Sequence, residues 1–322
     1  MLSNSPVADI IRGRKATGSR ADGHRLFLVV EGGGSRGVYS SGMVQAMEEL
    51  GLSSIFDAVY GTSAGAINGA WLLSGRAVPG MRSWSNPQIM NAVINPARIL
   101  RGGAAFDVRY LVHRVYDGVE PMDFDAILEH PTTLHPIATD GRTGKPVDLR
   151  PCIHDKRSLM RVLRATANLP ILAGGPLVID GVPYFDGGIA EPIPIRSAAR
   201  AGGTHFLVLR TRRADEKRAP GSRVQQVVGG NYLRFVAPGA YRAFLNRPAL
   251  EEAKSRAFAE LGDRVLQIHP PAGSPTVDST ARDVVLLARA LEIGRRAVYS
   301  VFGDLGDQGD GRAPAPSEEP AV

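Results

Sequence analysis

The sequence carries a single cysteine, Cys152, in 322 residues. No intrachain disulfide can form, which excludes a disulfide-stapled scaffold and favours a reducing compartment over secretion. Aromatic residues make up only 6%, with two tryptophans, and Trp71 and Trp84 read as packing residues. No uninterrupted apolar run approaches the roughly 20 residues that a membrane-spanning helix needs. From Met1 to Arg25 there is no apolar stretch of the kind a signal peptide requires, because polar and basic residues begin early and persist. A cytoplasmic location is therefore expected, and any membrane contact would be peripheral. Charge is not lopsided either: 38 Lys+Arg against 32 Asp+Glu leave a formal +6. So mild an excess does not call for nucleic acid as a partner, although it is compatible with an anionic membrane surface.

What is present is ordinary globular composition, 43% hydrophobic and 22% charged, with 37 glycines that suit an α/β protein with close-packed turns. The pattern that organises the rest is Val59-Tyr60-Gly61-Thr62-Ser63-Ala64-Gly65-Ala66-Ile67. A short apolar run, Ile55 to Tyr60, reads as a buried strand, and Ala64 to Leu73 reads as a helix. Between them lies G-x-S-x-G, the pattern of a serine on a sharp strand-to-helix turn. Such a turn strains the serine backbone and is tolerable only among small neighbours, here Gly61, Ala64 and Gly65. The helix that follows would aim its N-terminal amides and positive dipole end at charge developing near Ser63.

A second strand–glycine turn–helix unit precedes it. Leu26 to Val30 is apolar, Glu31-Gly32-Gly33-Gly34-Ser35-Arg36-Gly37 follows, and Met43, Met47 and Leu50 recur at helical spacing before Gly51. The repetition indicates a parallel, doubly wound sheet, so the expected fold is a three-layer α/β/α domain with a mainly parallel central sheet. Gly32, Gly34 and Gly37 also fit G-x-G-x-x-G, the dinucleotide fingerprint, but the acidic residue wanted at the end of the second strand is missing. Consecutive glycines expose N–H groups to a reacting carbonyl oxygen, so an oxyanion hole from Gly32, Gly33, Gly34, Ser35, Arg36 and Gly37 is favoured.

Residues 1–24 are expected to be a flexible basic arm, residues 25–303 a single catalytic domain, and residues 304–322 a disordered acidic tail. Between 80 and 130 the pattern is broken by Gly and Pro. There Ile89, Met90, Val93, Ile94, Ile99 and Leu100 suit a subsidiary core by default, and a cap over the site as the alternative. Thr133 to Asp140 reads as a strand with a return strand over Val147 to Arg150, and His154 to Arg164 reads as a short helix. Leu177 to Phe185 is a hairpin turning at Asp180-Gly181, and it delivers Asp186-Gly187-Gly188, an aspartate entering a glycine-flanked turn. Thr204 to Arg210 and Arg264 to His269 are further strands, 231–262 is helical, and Thr280 to Phe302 is a long final helix.

Taken together, Gly32-Gly33-Gly34-Ser35-Arg36-Gly37, Gly61-Thr62-Ser63-Ala64-Gly65 and Asp186-Gly187-Gly188, in that order, resemble the patatin-like phospholipase family, its bacterial cytoplasmic-type members above all. The resemblance runs from about Leu26 to Arg210 and implies a patatin-like fold. It also implies hydrolysis of a lipid or acyl-ester substrate through an acyl-enzyme, with Ser63 as nucleophile, Asp186 as base and Gly33, Gly34 and neighbouring amides holding the oxyanion. No metal or cofactor is implied. Three rivals stay open from the residues: a Ser-Asp-His triad using His269, or less suitably His205; a dinucleotide-binding oxidoreductase; and a non-catalytic lipid-binding module.

Overall fold

Five apolar segments pair in parallel because both of their faces are covered. The computed structural model describes residues 5–101, 103–170, 172–216 and 233–308. Its strands are β1 (Leu26–Val30), β2 (Ala58–Thr62), β3 (Thr133–Asp140), β4 (Pro146–Asp148), β5 (Leu177–Ile179), β6 (Val182–Asp186), β7 (His205–Leu209) and β8 (Val265–Ile268). They form one sheet in the order β5-β6-β3-β2-β1-β7-β8, with β4 also paired to β3. Strands β3, β2, β1, β7 and β8 run parallel, β4 and β6 run antiparallel to β3, and β5 antiparallel to β6.

Alternate residues of one strand serve two different layers. Leu26, Leu28 and Val30 join a core that includes Val38, Met43, Trp71, Leu287 and Val298. Those residues come from α2 (Gly37–Glu49), α3 (Ala64–Leu73) and the long C-terminal helix Val284–Phe302. Phe27 and Val29 face the opposite way, against Ile195, Ala198, Phe258 and Leu261. The molecule is thus helix, sheet and helix in three layers, as the repeated strand–turn–helix units predict.

Register places the functional turns. Val30 pairs with Gly61, so the glycine loop after β1 and the serine turn after β2 leave the sheet at the same edge. Thr62 pairs with Ile137, and Asp186 pairs with Ala138 across the other ladder of β3. Ser63 and Asp186 therefore stand level with each other with one strand between them. Two strand spacings, about 9.6 Å, separate their backbones, a gap that two facing side chains can span.

Four expectations need correction. The N-terminal segment is not a free arm: Pro6–Thr17 is a helix, α1, capped by the Ser5 hydroxyl, which accepts from the Ala8 N–H at 3.1 Å. Val7, Ala8, Ile11 and Arg14 are buried at helical spacing, a stripe disguised because its last member is an arginine. The Arg14 guanidinium donates to both oxygens of Asp22, to Asp57, and to the carbonyls of Ile55 and His24, at 2.7 to 2.9 Å. At the other end, Gly303–Gln308 makes a 3₁₀ turn in which Asp304 accepts from Arg12 at 2.8 Å. Residues 309–322 lie outside those described. Strand β2 starts at Ala58 rather than Ile55, because the Ile55 and Phe56 carbonyls are taken by Arg14, Arg20 and the Thr132 hydroxyl instead of by a ladder. The helical stretch after 231 is interrupted at Ala237 and Asn246: among the described residues 233–236 is helical, and Pro238–Leu245 and Arg247–Leu261 follow, each of the latter two with proline in its first turn.

Among the described residues no helix is long and apolar enough to cross a membrane. Replacing Arg14 with alanine removes the guanidinium from two carboxylates, which keep only the Leu26 and His24 N–H groups, and from two carbonyls, and a loss of about 3 kcal/mol is expected in urea unfolding. A loss below about 0.5 kcal/mol would mean the helix is docked by its apolar residues alone.

Candidate active site

Ser63 is one of two described non-glycine residues with positive φ, at φ 55° and ψ −126°. A side chain held in that region stores backbone strain, so something must fix it there. Its N–H donates to the Thr166 hydroxyl at 2.9 Å, and that hydroxyl donates in turn to the Ile137 carbonyl of β3. Its carbonyl accepts from the N–H groups of Ala66 and Ile67, which starts α3. The Thr62 hydroxyl donates to the Glu191 carbonyl at 2.9 Å, tying the strand end to the segment after Asp186. A Cβ on Gly65 would lie 2.3 Å from the Val30 carbonyl oxygen, and one on Gly61 would lie 2.5 Å from the Ala66 Cα. Those contacts are why both elbow glycines are needed.

Asp186 ends β6. Its N–H donates to the Asn168 carbonyl at 2.9 Å, and its carbonyl accepts from the Thr139 hydroxyl at 2.8 Å. The residue is 2% exposed. Oδ1 accepts the Gly188 N–H at 2.7 Å, while Oδ2 is buried and has no partner of good hydrogen-bond geometry. Burial pushes the carboxyl up to about 6, and the Ser63 hydroxyl and the Gly188 N–H pull back against it. Gly187 packs its Cα against β3; a Cβ there would sit 2.2 Å from the Ile137 carbonyl oxygen.

The six candidate oxyanion residues divide. The N–H of Gly32 donates to the Pro192 carbonyl at 3.0 Å, Ser35 to Ser279 at 2.9 Å and Arg36 to Gly33 at 3.2 Å. That of Gly37 is taken by the carbonyls of Gly34 and Ser35. Among the described residues only Gly33 and Gly34 of the six keep amides with no acceptor. Gly34 has φ +58°, and a Cβ there would meet the Ser279 carbonyl oxygen at 2.4 Å. Glu31 anchors the loop from below: it is buried, and Arg210 and the Thr211 N–H hold it at 2.9 and 2.8 Å. Burial alone would raise its pKa, but the Arg210 charge and those hydrogen bonds overcome that and keep it low. With four of six amides engaged inside the protein, the loop offers no full cradle for a pyrophosphate, and the dinucleotide rival loses its main support.

Neither histidine offered for a triad is near. His269 follows β8, three strands or roughly 14 Å from β2, and its Nδ1 is bonded to the Arg212 carbonyl at 2.9 Å. His205 begins β7, at the opposite edge of the sheet from the serine turn. The sequence profile of patatin-like phospholipases matches residues 28–199, just over half of the chain.

The chain belongs to the patatin-like phospholipase family.

The Escherichia coli K12 protein YjjU is 27% identical over 197 residues, 58% of this chain and 52% of its own. The NTE family protein Rv1063c of Mycobacterium tuberculosis H37Rv is 29% identical over 182 residues, 54% of this chain and 46% of its own. The chain thus spans about half the length of these relatives. VipD from Legionella pneumophila superposes at a TM-score of 0.43 with 14% identity, covering 87% of this chain and 67% of that one. So loose a match carries no argument about function.

In this patatin-like phospholipase family member, Ser63 opens onto a narrow apolar pocket. Trp84, Ile89, Met90, Val93 and Ile94, from around the helix Pro87–Val93, form one wall, with Phe106, Val108, Leu111 and Tyr116 beside them. The 80–130 region is therefore a wall of the pocket at Ser63, not merely a subsidiary core. Gly34, Ser35 and Ala64 line the same cavity as Ser63. Thr166 and Asn168 went unnoticed in the sequence; Ala165-Thr166-Ala167-Asn168 carries no motif, and only the pairing of β3 with β6 shows that it lies under both turns. Thr166→Val leaves the buried Ser63 N–H unpaired and is expected to cost about 1–3 kcal/mol in unfolding experiments, with Thr166→Ser restoring most of it. Equal stability of all three proteins would mean that the elbow holds itself.

Proposed function

We propose that the protein is a serine lipid acyl hydrolase, of phospholipase A, lysophospholipase or esterase type, working through a Ser63–Asp186 dyad. One observation carries this: Asp186 is buried with its Oδ2 unpartnered, and the Ser63 hydroxyl is close enough to pull its pKa down against the effect of burial. Apolar walls at the serine suit an acyl chain.

The chemistry then runs in two halves. Ser63 Oγ attacks the ester carbonyl carbon while its proton passes to Asp186 Oδ2. Negative charge collects on the carbonyl oxygen, and the Gly33 and Gly34 amides, with the N-terminal end of α3, stabilise it. The carbon–oxygen bond to the alcohol breaks, the alcohol leaves with the proton from Asp186, and an acyl-Ser63 ester remains. Water attacks that ester, gives its proton to Asp186 and releases the acid, and the proton returns to Ser63. An ordinary aspartate, with a pKa near about 4, is a weak base for this task; one raised by burial is better matched. A cytoplasmic enzyme with peripheral membrane contact belongs to the same proposal, supported by the single cysteine and the mild positive charge.

The test is acyl release from a panel of phospholipids, lysophospholipids, glycerides and short-chain esters. Ser63→Ala and Asp186→Ala are each expected to lower the rate about a thousandfold or more. A loss in the His269→Ala protein on the scale of Ser63→Ala would replace the dyad by a triad, and full activity in Ser63→Ala or Asp186→Ala would overturn the dyad. No acyl release from any substrate by wild type, with lipid bound equally tightly by wild type and Ser63→Ala, would make the protein a non-catalytic lipid-binding module.

Because Asp186 must be ionised to accept the proton, kcat/KM is expected to rise with pH through about 6. The stability effect has the opposite sense. The folded pKa lies above the unfolded value of about 4, so the folded form holds the proton more tightly and stability falls as pH climbs from about 4 through about 6. Asp186→Asn removes that cost, and at about pH 8 it is expected to melt above wild type while being inactive. A lower melting temperature would show that the charged carboxylate is itself a structural anchor.

A further inference from the structure

A second cavity lies on the other side of the pocket wall. It has a volume of about 840 Å³ and is lined by Arg109, Arg114, Arg157, Arg161, Arg164 and His113. Two elements supply them. Arg157, Arg161 and Arg164 stand at i, i+4 and i+7 on the helix Lys156–Thr166 and share one face. Arg109, His113 and Arg114 come from Val108–Tyr110 and the π-helical segment Leu111–Val119. That segment is two-sided: Val108, Leu111 and Tyr116 line the pocket at Ser63, while its arginines and histidine turn to the second cavity.

Five guanidiniums gathered in one concave site repel one another unless something negative joins them. Among the described residues none of the five makes an ion pair. Asp107 is the one carboxylate among the lining residues, and its Oδ1 accepts the Tyr110 N–H at 2.8 Å. Asp117, near by in sequence, is held by Lys156 at 2.6 Å. Burial, together with the charges of Arg109 and Arg161, makes Arg164 less ready to hold its proton, and Arg164 meets the His113 ring at 3.3 Å. Arg161 also donates to the Val178 carbonyl, and Asp107 favours the charged form of Arg164, so five guanidiniums share one lining carboxylate; a cluster so rich in positive charge fits a ligand with several anionic oxygens, since each guanidinium fork can grip a phosphate bidentately. The volume exceeds what a single phosphate fills.

We propose that this groove binds clustered phosphate groups, supplied by the headgroup of an anionic lipid or by a soluble polyphosphate-bearing ligand, beside the apolar pocket at Ser63. It is separate from the acyl chemistry, although the helix that lines it also carries Thr166. A phosphate-bearing lipid seated here would have its headgroup on one side of the segment 108–119 and its chains on the other.

The test uses the full chain, sodium tripolyphosphate in titration calorimetry, and flotation with phosphatidylcholine vesicles with or without phosphatidic acid, at about 0.15 M salt. The variant is Arg157→Ala/Arg161→Ala, both exposed, with Arg109→Ala/Arg114→Ala as a second pair should the first unfold. Arg256→Ala/Arg296→Ala, on other helices, removes the same charge elsewhere as a control. Wild type is expected to bind tripolyphosphate at least about tenfold more tightly than either groove variant, with the control unchanged. Flotation with phosphatidic acid that is lost in the same variants assigns the groove to a lipid headgroup; tripolyphosphate binding without flotation assigns it to a soluble ligand. No binding of either probe by wild type, or an equal loss in the control, overturns the proposal. Hydrolysis of a short uncharged ester is expected to stay at the wild-type rate in the groove variants, so a failure of the dyad and a failure of the groove read out separately.

Discussion

The structure depends on holding one residue, Ser63, in a backbone conformation that side chains avoid. At φ 55° and ψ −126° the chain turns from strand into helix within a single residue, and left alone that turn would relax. Three things prevent it. The Thr166 hydroxyl fixes the N–H, the first turn of α3 fixes the carbonyl, and the missing side chains at Gly61 and Gly65 let the helix lie closely against β2 and β1 respectively. The Ser63 hydroxyl is thereby placed at the edge of the sheet, beside the N-terminal end of a ten-residue helix.

Everything else at the site is arranged around that point by strand register. Parallel pairing of β1 with β2 brings the glycine loop alongside, and antiparallel pairing of β6 with β3 brings Asp186 level from the other side. The same crowding that seals the turns also buries Asp186, which raises its affinity for a proton. Burial costs stability when the carboxyl is charged, so the feature that suits it to act as a base is one that the remainder of the fold must offset. The loop from Glu31 to Gly37 follows the same economy of amides: most are used to hold the loop, and two are left over.

Much of this was legible in the sequence for a specific reason. Turns that admit only glycine leave a mark, so Gly61, Gly65, Gly187 and the run from Gly32 to Gly34 could be recognised without knowing what they touch. The strands were legible because both of their faces are buried, which makes continuous apolar runs such as Leu26 to Val30. Residues recruited by tertiary contact left no such mark. Thr166 and Asn168 look like any helix end. Arg14 reads as one more charge in a basic tail, although it is a fully bonded core residue with its stem among Val7, Ala8 and Ile11. The loop at 80–130 is readable as apolar but not as facing Ser63, because its helical pieces are too short to show a periodic face. The commitment of four amides out of six is likewise a matter of partners distant in sequence, Pro192 and Ser279 among them.

The most direct measurement is a crystal structure of the protein inactivated by an alkyl fluorophosphonate, whose tetrahedral phosphorus stands in for the carbon under attack. The expected adduct joins phosphorus to Ser63 Oγ, points the phosphoryl oxygen at the Gly33 and Gly34 amides, and lays the alkyl chain between Trp84 and Leu111. An adduct on another residue, or a phosphoryl oxygen turned away from those two amides, would contradict the account.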